Sequence, residues 1–399
     1  MAASIALIVL LGLFFDYLFR RIRLPGLVGM LLVGMLCGPH VLNVIQPELF
    51  KMSADFRMAA LVVILLRAGL KIQAQRIISM GRPILLMSFI PSTFEGIAIT
   101  LSAPFLFGMS HVEAAILGFT VAAVSPAVIV PAMIKFSDQK RGTNKGIPSL
   151  ILASASMDNA YTIVVFSAVL GMYAGTAGNP LIRLVDIPVS ILLGMAVGSA
   201  LGYVLYRVFE RYHLRATKMT MVVISVSVLL IWIEDAVKSK IAISPLLGVM
   251  AIGFILLEKA EIRAHKISDK LSKVWIFAEI ILFVLVGAQV DIRVVYNAGL
   301  AGALLILTGL AARSVGTYIA VMHTDLNFKE RLFCVISYIP KATVQAAIGA
   351  VPLEAGVRGG DIILAIAVFA IILTAPLGAM GTMFAGNRWL TKEGASSPR

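Results

Sequence analysis

Residues 146–175 read GIPSLILASASMDNAYTIVVFSAVLGMYAG. These thirty residues hold one acid, Asp158, and no Lys or Arg. A helix of about 20 apolar residues crosses a hydrocarbon core about 30 Å thick, so the run reads as a membrane span. Asp158 and Asn159 nevertheless stand near its middle. An ionised Asp at the centre of a membrane helix costs about 2.5–3.5 kcal/mol on insertion scales. The fold must compensate that cost or use it. Ser154, Asp158, Tyr161 and Thr162 fall at i, i+4, i+7 and i+8 and share one helical face, with Asn159 beside them. Side-chain oxygens in that arrangement suit a small hard cation, which exchanges hydration water for other oxygens. An Asp can also carry a proton. The plainer alternative is an acid held by structural hydrogen bonds, but intramembrane acids are functional by default.

The rest of the chain has the same character. It has 399 residues, 59% of them hydrophobic and 14% charged, with mean hydropathy +0.96. A soluble domain carries about 25% charged residues. Apolar runs recur from end to end and strand alternation is absent, so the fold class is all-α and polytopic rather than a membrane β-barrel. Thirteen spans are expected, near 2–19, 25–43, 56–74, 83–108, 112–136, 146–175, 184–209, 217–235, 243–258, 271–290, 297–322, 330–352 and 361–385. The opening MAASIALIVLLGLFFDYLFRR lacks the basic start of a cleaved signal and reads as the first span. The tail NRWLTKEGASSPR is polar and adds no soluble domain, so 1–399 reads as one transporter unit. Cys37 and Cys334 fall within spans and read as inert core thiols. No phosphate-binding GxxxxGK[ST] run occurs, so ATP drive is not indicated. No zinc or hydrolase signature stands out; neither an enzyme nor a cofactor is expected.

The net charge of +13 would suggest nucleic acid in a soluble protein. Here the basic residues sit in short loops, and no nucleic-acid partner is expected. With their flanking turns, the odd-numbered loops carry 21 Lys and Arg and the even-numbered loops 7. The positive-inside rule then puts the odd loops and the C-terminus in the cytoplasm and the N-terminus outside. Arg67, Arg313 and Lys341 lie inside spans and need partners or a wet cavity. Arg67 is expected to reach a polar partner or the cytoplasmic edge, and Asp16 and Glu279 lie near span ends. IEDAVKSK at 233–240 reads as an interfacial loop.

A faint internal repeat is visible. GLVGMLLVG at 26–34 matches PLLGVMAIG at 245–253, an offset of 219 between glycines, and Gly69 matches Gly287 at an offset of 218. Spans 2–6 map onto spans 9–13, giving repeats near 25–175 and 243–385. Five spans is an odd number, so the two units are inverted, a recurring plan of secondary transporters. The same offset of 218 carries Glu95 onto Arg313, an acid and a base that can pair where the repeats meet. Pro126 and Pro131 interrupt the fifth span and Pro340 the twelfth, each the fourth helix of its repeat. Matched interruptions suggest two broken helices that cross, with unwound backbone exposing half-helix ends. Lys341 is expected to sit against the negative C-terminal ends of those half-helices.

GFTVAAVSPAVIVPAMIKF (118–136), KGIPSLILASASMDN (145–159), YIPKATVQAAIG (338–349), RLPGLVGMLLVGMLCGP (23–39) and LLRAGL (65–70) together resemble the NHA-type branch of the monovalent cation/proton antiporters. The resemblance spans nearly the whole chain. It implies the sodium/proton antiporter fold: ion-translocating core helices near 83–175 and 297–385, dimerisation helices near 1–74 and 184–290, and a homodimer. It implies exchange of Na⁺ or Li⁺ for protons by an elevator-like movement of the core. It places the family's core acids on Asp158 and Asn159, its helix-linking base on Arg313 and the acid of the preceding core helix on Glu95. One departure matters: the branch has two adjacent aspartates where this chain has Asp158 and Asn159. An amide oxygen can ligate Na⁺, but an amide does not exchange a proton at neutral pH.

The expectation is therefore a multi-pass antiporter of a plasma membrane, set in a bacterial inner membrane among lipid, that moves monovalent cation out and protons in. Asp158 is its carrier. Asn159, Ser125, Ser154 and Thr343 are candidate oxygen ligands, Asp158 and Asn159 the ones nearest the metal ion. Glu95 and Arg313 form the core ion pair, and Pro126, Pro340 and Lys341 mark the crossing. Asp158 then does both jobs, or the exchanger is impaired or trapped by Asn159. K⁺/H⁺ exchange, and a passive cation channel or non-transporting ion sensor on the same fold, are the alternatives.

Overall fold

The structure is a computed structural model that describes residues 2–22, 24–70, 74–173, 180–212, 214–237 and 245–392. The described residues form seventeen helical segments. The first nine are α1 (Ala2–Arg21), α2 (Gly26–Cys37), α3 (Pro47–Lys51), α4 (Ser53–Gly69), α5 (Ala74–Phe107), α6 (His111–Val121), α7 (Pro126–Asp138), α8 (Ile147–Tyr173) and α9 (Pro180–Arg211). They are followed by α10 (Ala216–Val237), α11 (Pro245–Lys259), α12 (Glu261–Gln289), α13 (Ile292–Val321), α14 (Phe328–Ser337), α15 (Thr343–Ile348), α16 (Val351–Glu354) and α17 (Gly360–Trp389). Helix occupies each of the thirteen expected ranges. Among the described residues, eight helices are long and apolar enough to cross a membrane by length and composition, and Gly26–Cys37, Met58–Arg67 and His111–Val121 are shorter apolar helices. The first five residues of the loop expected at 233–240 continue α10, which ends at Val237, and the last three lie outside the described residues.

Two of the expected spans are each divided. The fifth is α6 and α7, separated by residues 122–125; the twelfth is α14 and α15, separated by residues 338–342. Pro126 is the first residue of α7, where its missing N–H costs nothing. Pro131 sits inside α7, and the helix runs through it, so only one of the two prolines expected to interrupt the fifth span does so. The half-helices α6 and α14 both begin with a reciprocal capping box. Ser110 caps the Glu113 amide while Glu113 returns to the Ser110 amide, and Asn327 and Glu330 do the same. α5 and α13 each carry one non-helical glycine near the N-terminal end, Gly81 and Gly299.

Packing falls mainly into two groups. α1, α2, α4 and α9–α12 pack among themselves, and α5–α8, α13, α14 and α17 do the same. In the first group the close approaches are made at glycine. A Cβ on Gly34 meets the Val284 carbonyl and one on Gly287 meets the Leu31 carbonyl, so α2 and α12 cross at backbone contact. Gly69 meets the Met250 carbonyl and Gly253 the Leu66 carbonyl, which brings α4 and α11 together in the same way. In membrane helices such small residues let backbones approach, because apolar burial against lipid gives little driving force. The second group is built around α5 against α13, with the two divided helices between them and α8 and α17.

Candidate functional site

Breaking a helix exposes the last carbonyls of one half and the first amides of the other. In the low-dielectric core each must find a partner. The chain meets this requirement with a few buried side chains, of which one also gathers the acids. Arg313, on α13 and 1% exposed, donates from Nε to the Tyr338 carbonyl (2.7 Å). Its Nη1 donates to Glu95 Oε2 (2.7 Å) and to the Ala122 carbonyl, and its Nη2 to Asp158 Oδ2 (3.1 Å). Ala122 and Tyr338 are the C-terminal caps of α6 and α14. One guanidinium therefore holds the negative ends of both half-helices and both acids. Its plane also lies over the Tyr338 ring, 5.5 Å from the centroid.

Lys341 does not occupy that position. Its Nζ bonds Glu95 Oε2 at 2.5 Å, and its backbone amide donates to Thr374 Oγ1 (2.9 Å). The expected task at the half-helix ends falls to Arg313, whose planar fork supplies several donors at fixed angles where an ammonium is a point charge. Glu95, Asp158, Arg313 and Lys341 form a buried quartet of two acids and two bases, each 1% exposed or less. Fully ionised, its charge is zero.

Asp158, on α8, has both oxygens engaged. Oδ1 accepts from Ser92 Oγ on α5; Oδ2 accepts from the Val124 amide (2.9 Å) in the unwound stretch between α6 and α7, and from Arg313. Asn159 beside it is 7% exposed, and its Oδ1 has no partner. Ser125 Oγ, Thr343 Oγ1 and Glu95 Oε1 are likewise buried and unpartnered. Ser125 and Thr343 stand at the far sides of the two breaks. Ser154 is different: its hydroxyl donates to the Leu150 carbonyl (2.6 Å) and accepts from the Tyr338 hydroxyl (2.5 Å). Thr162 bonds its own helix at the Asp158 carbonyl, and Tyr161 meets Thr93 of α5 at 2.8 Å. The broken backbones touch where the Ser125 amide donates to the Pro340 carbonyl (2.8 Å).

The sequence reading gave no role to Ser92, Tyr338, Gln345 or Thr374. Gln345, fully buried on α15, donates from Nε2 to the Val121 and Ala123 carbonyls (2.9 and 2.7 Å) and accepts the Ala342 amide at Oε1 (2.9 Å). Arg67, on α4, has its guanidinium over the Trp275 ring of α12 at 5.5 Å; Asp16 pairs with Arg20 at 2.8 Å. Glu279 belongs to the same α12 as Trp275, well inside the helix rather than at its end.

The fold matches the sodium proton antiporter MjNhaP1 from Methanocaldococcus jannaschii with a TM-score of 0.84, over 97% of this chain and 98% of that one, at 18% identity. Sodium/hydrogen exchanger 9B2 of Homo sapiens is 31% identical over 387 residues, covering 92% of this chain and 70% of that protein. Sodium/hydrogen exchanger 9B1 of Homo sapiens is 29% identical over 384 residues (92% and 73%), and the 9B2 protein of Xenopus tropicalis 30% over 381 residues (92% and 69%). Relatives from human and frog contradict the expected bacterial inner membrane; a multi-pass membrane protein is what stands. The family model described as sodium/hydrogen exchanger, transmembrane, matches residues 5–385. The chain belongs to the sodium/hydrogen exchanger family, as the NHA-type resemblance of its motifs implies.

Proposed function

We propose that this chain is a secondary antiporter that exchanges Na⁺ or Li⁺ for protons, and that Asp158 is the shared carrier. The observation that carries the reading is the state of Asp158: a fully buried carboxylate bonded to the Val124 amide of the first break, which touches the second break, with unpartnered oxygens on the adjacent Asn159 and at the breaks on Ser125 and Thr343. A carboxylate that takes a cation cannot at the same time keep a proton. Loading on one side and release on the other then exchanges one cargo for the other, with no covalent chemistry. When the cation enters, its hydration is replaced by Asp158 and by the amide and hydroxyl oxygens. When the proton enters, it occupies the same carboxylate.

The quartet sets the charge. With Asp158 ionised the four groups sum to zero; with either cargo bound they sum to +1. The loaded forms carry equal charge, so a single carboxylate exchanges one cation for one proton. Transport is expected to be insensitive to membrane potential. Asn159 serves as an oxygen ligand only.

The architecture we infer around this site is two inverted repeats, a core that moves as an elevator against a scaffold, and a homodimer in lipid, with the N-terminus outside and the C-terminus cytoplasmic. The paired glycine crossings, at offsets of 219 and 218, and the two packing groups support the repeats and the division into core and scaffold.

Proteoliposomes test the function. An imposed pH gradient, external Na⁺, Li⁺ or K⁺ and a lumenal pH reporter should show proton movement on adding Na⁺ or Li⁺. Asp158→Asn should abolish it. Silence from this chain together with a response from Asn159→Asp would assign the fold to an antiporter and this sequence to a disabled form. Cation flux without proton movement would replace the antiporter with a channel.

A further inference from the structure

We propose that Gln345 is a positioning residue for the exchanged cation, a clamp that sets how the two broken helices cross. The inference rests on the antiport reading above. Gln345 is fully buried, uncharged and outside the quartet. Its amide is used at both ends. The Nε2 group spans the Val121 and Ala123 carbonyls at the end of α6, while Oε1 takes the Ala342 amide at the second break. Both donor hydrogens of the side chain and one acceptor site are therefore committed. Its bonds join the stretch that leads into Ser125 with the stretch that leads into Thr343. Those two residues hold unpartnered hydroxyls at the breaks, as does Ser337 on the near side of the second one.

Backbone at a break has no helical ladder to fix it, so its position is set by the side chains that bond it. Arg313 fixes Ala122 and Tyr338, Asp158 fixes the Val124 amide and Thr374 fixes the Lys341 amide. Gln345 reaches both breaks without carrying charge, so its loss leaves the quartet's charge sum intact. What changes is the distance between ligand oxygens, and a misplacement of about 1 Å is enough to impair a positioned site.

Two variants separate the halves of the clamp. Gln345→Met keeps length and removes every hydrogen bond. Gln345→Glu keeps shape and the acceptor for the Ala342 amide but turns a second acceptor toward the Val121 and Ala123 carbonyls. Each is purified as the full chain, assayed for Na⁺-driven exchange in proteoliposomes, and probed by amide hydrogen exchange in detergent. Gln345→Met is expected to raise the apparent KM for Na⁺ about tenfold with less than a threefold fall in maximal rate. Protection should drop at Ala342 and also at Ser125, which Gln345 does not touch. Gln345→Glu should keep protection at Ala342, lose it at Ser125 and raise KM as well. Should one variant fail to fold, the other carries the test.

A fall in maximal rate at unchanged KM overturns the positioning role, and so does unaltered exchange at Ser125. If neither the parent chain nor Asn159→Asp moves protons on adding cation, the antiport reading fails. Hydrogen exchange at Ser125 still decides whether Gln345 sets the crossing.

Discussion

Arg313 is the residue on which the site turns, and its neighbours show how unequal the partners are. Glu95 alone faces both bases, so Glu95→Ala leaves two buried cations with one acid between them. Removing one partner of a buried pair costs about 3–5 kcal/mol. The melting temperature in detergent should fall together with transport; an unchanged melting temperature rules out the pairing. Tyr338→Phe is milder. It keeps the ring against Arg313 and removes only the 2.5 Å bond to Ser154. A loss of about 0.5–1.5 kcal/mol is expected, read as a small drop in thermal stability with transport retained. Charged residues were legible in the sequence because they are scarce in an apolar run. Ser125, Ser154 and Thr343 could be named as candidates, but which hydroxyl meets Asp158 was not legible. Ser88, Thr162 and Thr317 each bond the carbonyl four residues back, so a Ser or Thr in a membrane helix carries no written sign of its use. Ser92, four residues from Ser88 on α5, turns instead to Asp158, and only the fold says so.

At the scale of the element, the two divided helices resemble each other more than their sequences suggest. Both first halves start with a capping box and both end on a carbonyl held by Arg313. Asn327→Ala should remove the cap of α14 at a cost of about 1 kcal/mol. Only the Glu330 backbone amide loses its acceptor; the Glu330 carboxylate stays shared by the Asn327 backbone amide (2.7 Å) and Lys145 (2.8 Å), which the substitution leaves in place. Proteolysis or hydrogen exchange near residues 327–331 is the measurement, and unchanged protection there refutes the cap's role. The breaks themselves were legible, because Pro126 and Pro340 occupy corresponding helices. Their extent was not: Pro131 has the same chemistry as Pro126 and lies inside a continuous helix. A proline marks where a donor is missing, whereas the site of the break depends on which backbone groups find partners elsewhere.

Across the whole molecule the glycine pattern carried the plan. Gly34, Gly69, Gly253 and Gly287 were visible as a faint repeat because two helices cannot cross at backbone contact on anything larger. Gly287→Val places side chain where the Leu31 carbonyl lies. Overpacking of this kind costs about 1–3 kcal/mol, so lower yield and thermal stability are expected, with Ala a smaller insult than Val. The long-range ties on the other face could not have been read. Arg141 bonds the Asn387 and Leu390 carbonyls (2.9 and 3.2 Å) at the end of α17, while Lys145 bonds the Asp325 carbonyl (2.9 Å) as well as Glu330. One short loop between α7 and α8 thus holds the start of α14 and the end of α17, and nothing in its composition marks those partners.

Arg313 also imposes an order on biosynthesis. It lies 191 residues beyond Ala122, whose carbonyl it holds. At a synthesis rate of about 5–20 residues per second, that carbonyl waits on the order of 10–40 s for its partner. During that interval the first half of the chain is already in the membrane with an open half-helix end and two acids lacking their base. That first half cannot mature alone; its lifetime depends on whatever shelters it at the insertion machinery. A ribosome stall between residues 175 and 313 should therefore leave a product that proteases clear quickly, while a stall beyond α13 leaves one that persists.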